Sequence, residues 1–223
     1  TTPVIGKDAA SVMVTNEIQN HSGENITLQV TTRIIDRHGT EITKDRQEVD
    51  AVASGKVEVT QELEVASPQL WSPESPALYT TVTEIEDARS NLLDRVENKF
   101  GIRSIEFSTE GFFLNGENVL LKGGCMHHDN GPLGAAAYDR AEERRVELMK
   151  ASGFNSIRCA HNPPSPAFLD ACDRLGILVI DEAFDMWRRP KNPQDYHRFF
   201  DEWWKKDIES MVLRDRNHPS VIM

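Results

Sequence analysis

The sequence predicts two folds in series: an antiparallel β-sandwich of immunoglobulin-like type over residues 1–106, then an α/β arrangement with a parallel sheet over residues 107–223. Three observations predict it. The first half alternates apolar and polar residues with a period of two. The second half interleaves short apolar runs with capped helical segments. Polar, titratable residues fall just beyond three successive apolar runs of that second half.

In the first half, Ser11-Val12-Met13-Val14-Thr15 and residues 26–35 are rich in β-branched side chains and read as strands. The cluster Asn20-His21-Ser22-Gly23-Glu24-Asn25 turns the chain between them, and Asp36-Arg37-His38-Gly39 closes the second strand. Residues 57–65 and 78–85 are further period-two runs. No helical period with caps occurs here. Several short strands at regular spacing suit a sandwich, and the lack of cysteine excludes a disulfide-bridged antibody domain.

In the second half, residues 119–126 form an apolar run ending in glycines. Asp139 reads as a helix cap with Glu142 at the capping-box position. That helix puts Ala141, Leu148 and Met149 on one face and stops at Gly153. Residues 155–160 make a second short strand. Ser165-Pro166 supplies an N-cap and a first-turn proline, Phe168, Cys172 and Leu175 form a stripe, and Gly176 ends the helix. Residues 177–180 are nearly all apolar, as in a strand covered on both faces. A long helix follows with Phe200, Trp204, Ile208 and Met211 in line, and residues 220–223 begin a fourth strand.

Composition narrows the function. The formal charge of −11 repels a phosphate backbone, and the basic groups Arg188-Arg189-Pro190-Lys191 and Lys205-Lys206 are short and lie among acids, so no nucleic-acid partner is expected. No run of eighteen apolar residues exists, and the N-terminus lacks a basic stretch followed by an apolar core. No membrane span and no signal peptide are therefore expected, which suits a soluble chain, cytoplasmic or periplasmic. Cys125, Cys159 and Cys172 are odd in number and without a CxxC pair, and read as buried free thiols. There is no GxGxxG and no P-loop, so no nucleotide cofactor is implied.

The strand ends carry the chemistry. His127-His128-Asp129-Asn130, His161-Asn162-Pro163 and Asp181-Glu182-Ala183 follow the three runs, where an open α/β sheet or a (β/α)8 barrel builds its site. Each has a structural reading as well: loop histidines, a strand terminator before proline, a loop cap, a solvated acid. Asp181 and Glu182 are adjacent and point to opposite sides, so they are not a facing catalytic pair. His127, His161 and Asp181 are conceivable metal ligands, but no His-x3-His or HExxH spacing supports them.

The stretch Asn155-Ser156-Ile157-Arg158-Cys159-Ala160-His161-Asn162-Pro163, followed by Phe168-Leu169, Asp173, Gly176 and Ile177-Leu178-Val179-Ile180-Asp181-Glu182-Ala183, resembles glycoside hydrolase family 2, the family of β-galactosidases, β-glucuronidases and β-mannosidases. Asp215-Arg216-Asn217-His218-Pro219-Ser220-Val221-Ile222-Met223 resembles the family's approach to the fourth barrel strand. Phe100-Gly101-Ile102-Arg103, Phe113-Leu114-Asn115-Gly116 and Leu121-Lys122-Gly123 resemble its crossing from an immunoglobulin-like domain into the barrel. Leu70-Trp71-Ser72-Pro73 with Pro76 and Leu78-Tyr79 resembles the last third of that domain.

The resemblance implies a fragment: the sandwich, then three βα units and the start of the fourth strand of a (β/α)8 TIM barrel. It implies a retaining hydrolase of terminal β-glycosidic bonds, β-galactosidase-like, with a carbohydrate partner. Its acid/base and nucleophile glutamates are expected beyond Met223, so the fragment by itself is expected to be inactive, with uncovered edges that invite self-association. The substrate-binding residues implied are His127, Arg158, His161, Asn162, Asp181 and Glu182. Asn162 stands where the family has tyrosine, which removes a stacking ring. The magnesium ligands of some members fall at Met186 and Arg188, so no magnesium and no other cofactor is implied. The alternatives are a non-catalytic carbohydrate-binding or domain-packing module and, third, a metal-dependent hydrolase.

Overall fold

The computed structural model describes residues 1–6 and 8–223. The chain divides into two compact units, Thr1–Leu70 with Ala77–Arg103, and Trp71–Pro76 with Ser104–Met223.

The first unit is a sandwich of seven strands: β1 (Val4–Ile5), β2 (Ala9–Gln19), β3 (Ile26–Ile35), β4 (Glu41–Ala51), β5 (Lys56–Ala66), β6 (Tyr79–Asp87) and β7 (Leu92–Phe100). One sheet runs β1-β2-β5 and the other β4-β3-β6-β7, all antiparallel. The period-two pattern decides which side chains meet between them. Ala10, Val12, Leu63 and Val65 of one sheet pack on Ile34 and Tyr79 of the other, and Ile18 and Val59 pack on Leu28, Val30 and Ala51. Gln61 occupies an inward position of β5 and is fully buried. It is satisfied there: its Oε1 accepts from Thr32 at 2.6 Å and its amide donates to Asp45 at 3.0 Å.

The strands at 26–35, 57–65 and 78–85 stand where the alternation predicts them. β4 and β7 lack that signal. They are the two edges of their sheet, and β7 is exposed along nearly its whole length. Ladder hydrogen bonds to β3 and β6 hold them; β7 has little burial to impose an apolar period, and the inward half-buried positions of β4 alternate but include the polar Thr43, Asp45 and Gln47.

The second unit opens with a small antiparallel sheet, β8 (Ile105–Ser108), β9 (Gly111–Leu114) and β10 (Glu117–Asn118). Leu114 pairs with Glu117 across a two-residue turn, Asn115-Gly116, whose φ angles of 53° and 81° suit the tight hairpin that Asn-Gly favours. Then come β11 (Gly123–Met126), α1 (Asp139–Ala151), β12 (Ser156–Cys159), α2 (Pro166–Leu175), β13 (Leu178–Ile180) and α3 (Phe200–Asp215). The three strands form a parallel sheet in sequence order, and a parallel bridge from Val179 to Val221 begins a fourth position. The first parallel strand is shorter than the apolar run 119–126 that predicts it. At Gly123 a Cβ would lie 2.4 Å from Ser156 Oγ and 2.7 Å from its carbonyl oxygen, so only glycine fits against β12.

The helices bury one face against this sheet. Val146, Phe168, Leu169, Ala171 and Cys172 join Ile157, Cys159, Ile177 and Val179 in one core. Ser165 caps α2 by accepting from the Phe168 N–H at 3.2 Å, Pro166 opens the helix, and Gly176 closes it at φ 73°. Four expectations are corrected. Asp139 is the first residue of α1, not its cap: Tyr138 stands at that position and makes no side-chain cap bond. Leu148 is 49% exposed, because the buried face of α1 runs through Glu142 and Val146. In α3 only Phe200 and Asp215 are buried, and Trp204 is exposed. Cys159 and Cys172 are buried and their thiols are pushed up by desolvation, whereas Cys125 is exposed.

Candidate active site

Four of the six residues singled out converge at the C-terminal end of the parallel sheet. Ile157 and Cys159 of β12 point into the helix-covered core, so Arg158 between them projects from the opposite face. Its guanidinium grips Glu182, just beyond β13, with Nε donating to Oε1 at 2.5 Å and Nη2 donating to Oε2 at 2.9 Å. Nη1 also donates to Cys125 Sγ at 3.4 Å, in register on β11. Glu182 Oε2 accepts the backbone N–H of His161 at 2.8 Å. His161 sits at φ 76°, and its ring meets His127 edge to face, with centroids 5.3 Å apart.

Two carboxylates face the His161 imidazole. His161 Nδ1 lies 3.6 Å from Asp185 and 3.7 Å from Glu182, within ion-pair range and beyond hydrogen-bond length. Lys191 Nζ reaches Asp185 at 3.2 Å. The Arg145 guanidinium donates to the His127 carbonyl, and to Glu142 at 3.0 Å, so α1 steadies the end of β11.

Asp181 turns away from the histidines. Its backbone N–H donates to Met223 O at 2.7 Å, while its carboxyl lies within hydrogen-bonding reach of Asp215. Arg214 holds Asp215 by two bonds of 2.6 and 2.7 Å. Burial, then the neighbouring Asp215 carboxylate, push Asp181 up to about 7. Its Oδ1 is buried and no donor reaches it, so a proton on this carboxyl supplies what the pair lacks. Asn162 lines a cavity of about 520 Å³ with Phe184, Asp185, Tyr196, Met211 and Arg214.

Among the described residues, one group is close enough to hold a cation by three side chains, Asp170, Asp173 and His218. Asp173 is already committed to fold: it accepts from Ser220 N at 3.0 Å and pairs with His218 Nδ1 at 2.6 Å. Burial pulls His218 down, but the Asp173 hydrogen bond and nearby carboxylates outweigh it and leave it raised. Arg145, Asp185 and the Arg214–Asp215 pair were not legible as site residues. They come from helices and a loop whose charges look solvated in sequence.

The family model described as Glycosyl hydrolases family 2 matches residues 1–103, and the one described as Glycosyl hydrolases family 2, TIM barrel domain, matches residues 105–223. The β-galactosidase BoGH2A of Bacteroides ovatus is 43% identical over 224 residues, covering 100% of this chain and 26% of that protein. The crystal structure of a glycosyl hydrolase family 2 member from Bacteroides cellulosilyticus superposes with a TM-score of 0.96 at 51% identity, over 100% of this chain and 29% of that one. The crystal structure of a Bacteroides uniformis β-glucuronidase gives 0.90 at 32% identity, over 100% of this chain and 26% of that one. The chain thus spans roughly a quarter of the length of the relatives it matches.

Proposed function

This chain belongs to glycosyl hydrolases family 2, and from that premise we propose that the protein carrying it is a retaining hydrolase of terminal β-glycosidic bonds acting on β-galactosides. The sandwich is taken as immunoglobulin-like, with β1-β2-β5 as strands A-B-E and β4-β3-β6-β7 as C′-C-F-G. The change of domain is taken to fall between residues 106 and 107. β11, β12 and β13 are the first three strands of a (β/α)8 barrel, and Val221 lies on the fourth.

The observation that supports the function most is the meeting of His127 and His161 beyond the ends of two parallel strands. In this role they donate to hydroxyl groups of the reacting sugar, with Arg158 and Glu182 behind them and Asn162 at the rim. The carboxylates Glu182 and Asp185 face His161, and the Arg158 guanidinium is spent on Glu182. Such a wall repels the carboxylate of a glucuronide and suits a neutral sugar.

Retaining chemistry uses two carboxyl groups about 5–5.5 Å apart on either side of the scissile bond. Asp181 is buried beside Asp215, which Arg214 holds by two bonds, so neither faces the histidines. Glu182 is bound in the Arg158 fork. As the family resemblance implies, we take both catalytic carboxylates to come from elsewhere in the barrel and the 223-residue chain alone to be inactive.

Incubating the full-length protein with chromogenic β-galactoside, β-glucuronide and β-mannoside tests this. The β-galactoside should turn over with the highest kcat/KM. A preference for the glucuronide would replace the substrate assignment, and no turnover of any of the three would refute the activity.

A further inference from the structure

We infer that Glu182 is a positioning residue that locks His161 into a left-handed backbone conformation and so aims its imidazole, rather than a group that binds sugar. The role of His161 in turnover rests on the glycosidase reading; the lock itself does not.

A non-glycine residue at φ 76° is strained and persists only where its surroundings impose the conformation. Here the imposing contact is visible. The His161 N–H donates to Glu182 Oε2 at 2.8 Å, a charge-assisted bond stronger than one to a neutral acceptor. Glu182 is in turn held rigidly, because both its oxygens lie in the Arg158 fork, at 2.5 and 2.9 Å. Arg158 belongs to β12, with Cys125 and Ile180 in register on either side. The lock is therefore anchored in the sheet and not in a loop. Three donors on one carboxylate leave it little capacity for a sugar hydroxyl. The Nδ1 edge of His161 faces Glu182 and Asp185, which leaves Nε2 as the nitrogen presented to a ligand.

The test uses the full-length protein and the variants Glu182→Gln, which keeps the size and removes the charge, and Glu182→Asp, which keeps the charge and withdraws it by one methylene. Both should lower kcat by about 10–100-fold with a smaller change in KM, as a misaimed group does. In a His161→Ala background, Glu182→Gln should cost less than about threefold, since the two act as one unit. Fully additive losses would show that Glu182 meets substrate directly, and would overturn the inference. Hydrogen exchange of the His161 amide gives an independent reading. It should be slow in the parent protein and fast in both variants, and equal rates in all three would also overturn it. If the parent protein hydrolyses no β-glycoside, the glycosidase reading fails, while the amide exchange still decides the lock.

Discussion

The imidazoles of His127 and His161 meet edge to face, 5.3 Å between centroids, although each closes a different strand. β11 and β12 pair in parallel from Gly123 to Met126 against Ser156 to Cys159, so the residues just past them emerge together at one end of the sheet. If this pair lines the reacting sugar, its bonds strengthen as charge develops there. His161→Ala in the full-length protein should lower kcat by about 10–100-fold and raise KM by less. Steady-state kinetics on the β-galactoside decide it: an unchanged kcat would make the histidine structural.

Asp181 should make stability fall as pH rises. Its folded carboxyl is raised to about 7 against an ordinary value of 3.8. Between those limits the folded state binds more protons than the unfolded one, so stability declines from about pH 4 to about pH 7 and is level above. Asp181→Asn keeps a neutral donor beside Asp215. The variant should melt above the parent at pH 8, with a smaller gap at pH 5. Equal gaps at the two pH values would contradict it.

Gly176 ends α2 at φ 73°, and a Cβ there would lie 2.3 Å from Pro73 O. Gly176→Ala should cost about 2–5 kcal/mol, the sum of left-handed strain and a backbone clash. Gly153 also has positive φ, 84°, but nothing lies within 4 Å of its Cβ position. Gly153→Ala should therefore cost only about 1–2 kcal/mol. Urea denaturation of both variants isolates the contact with Pro73, and equal losses would deny it.

The 223-residue chain by itself should self-associate. Trp203, Trp204, Val212 and Leu213 of α3 are 42%, 39%, 50% and 58% exposed, and their spacing spreads them over more than one side of the helix, so no single face covers its apolar residues. Exposed apolar surface of this kind favours association. Sedimentation velocity should show a mass that grows with concentration, and Trp203→Glu with Leu213→Glu should reduce it. A monomer at all concentrations would count against this.

Much of the fold was legible because burial writes its period into the chain. β3, β5 and β6 alternate since one face of each is inside the sandwich, and α2 shows cap, proline, stripe and glycine because each end of a helix leaves backbone groups that need them. β7 was illegible for the converse reason, since an edge strand held by ladder bonds buries too little to carry a pattern, and β4 because its inward positions include the polar Thr43, Asp45 and Gln47. Local order alone also put His127, Arg158, His161 and Glu182 at strand ends. Only the tertiary structure decided their partners. Glu182 faces Arg158 and His161, while its neighbour Asp181 faces Asp215, far along the chain on α3. Which side of a strand end an acid faces depends on what the next helix brings up to it, and no local pattern records that distance.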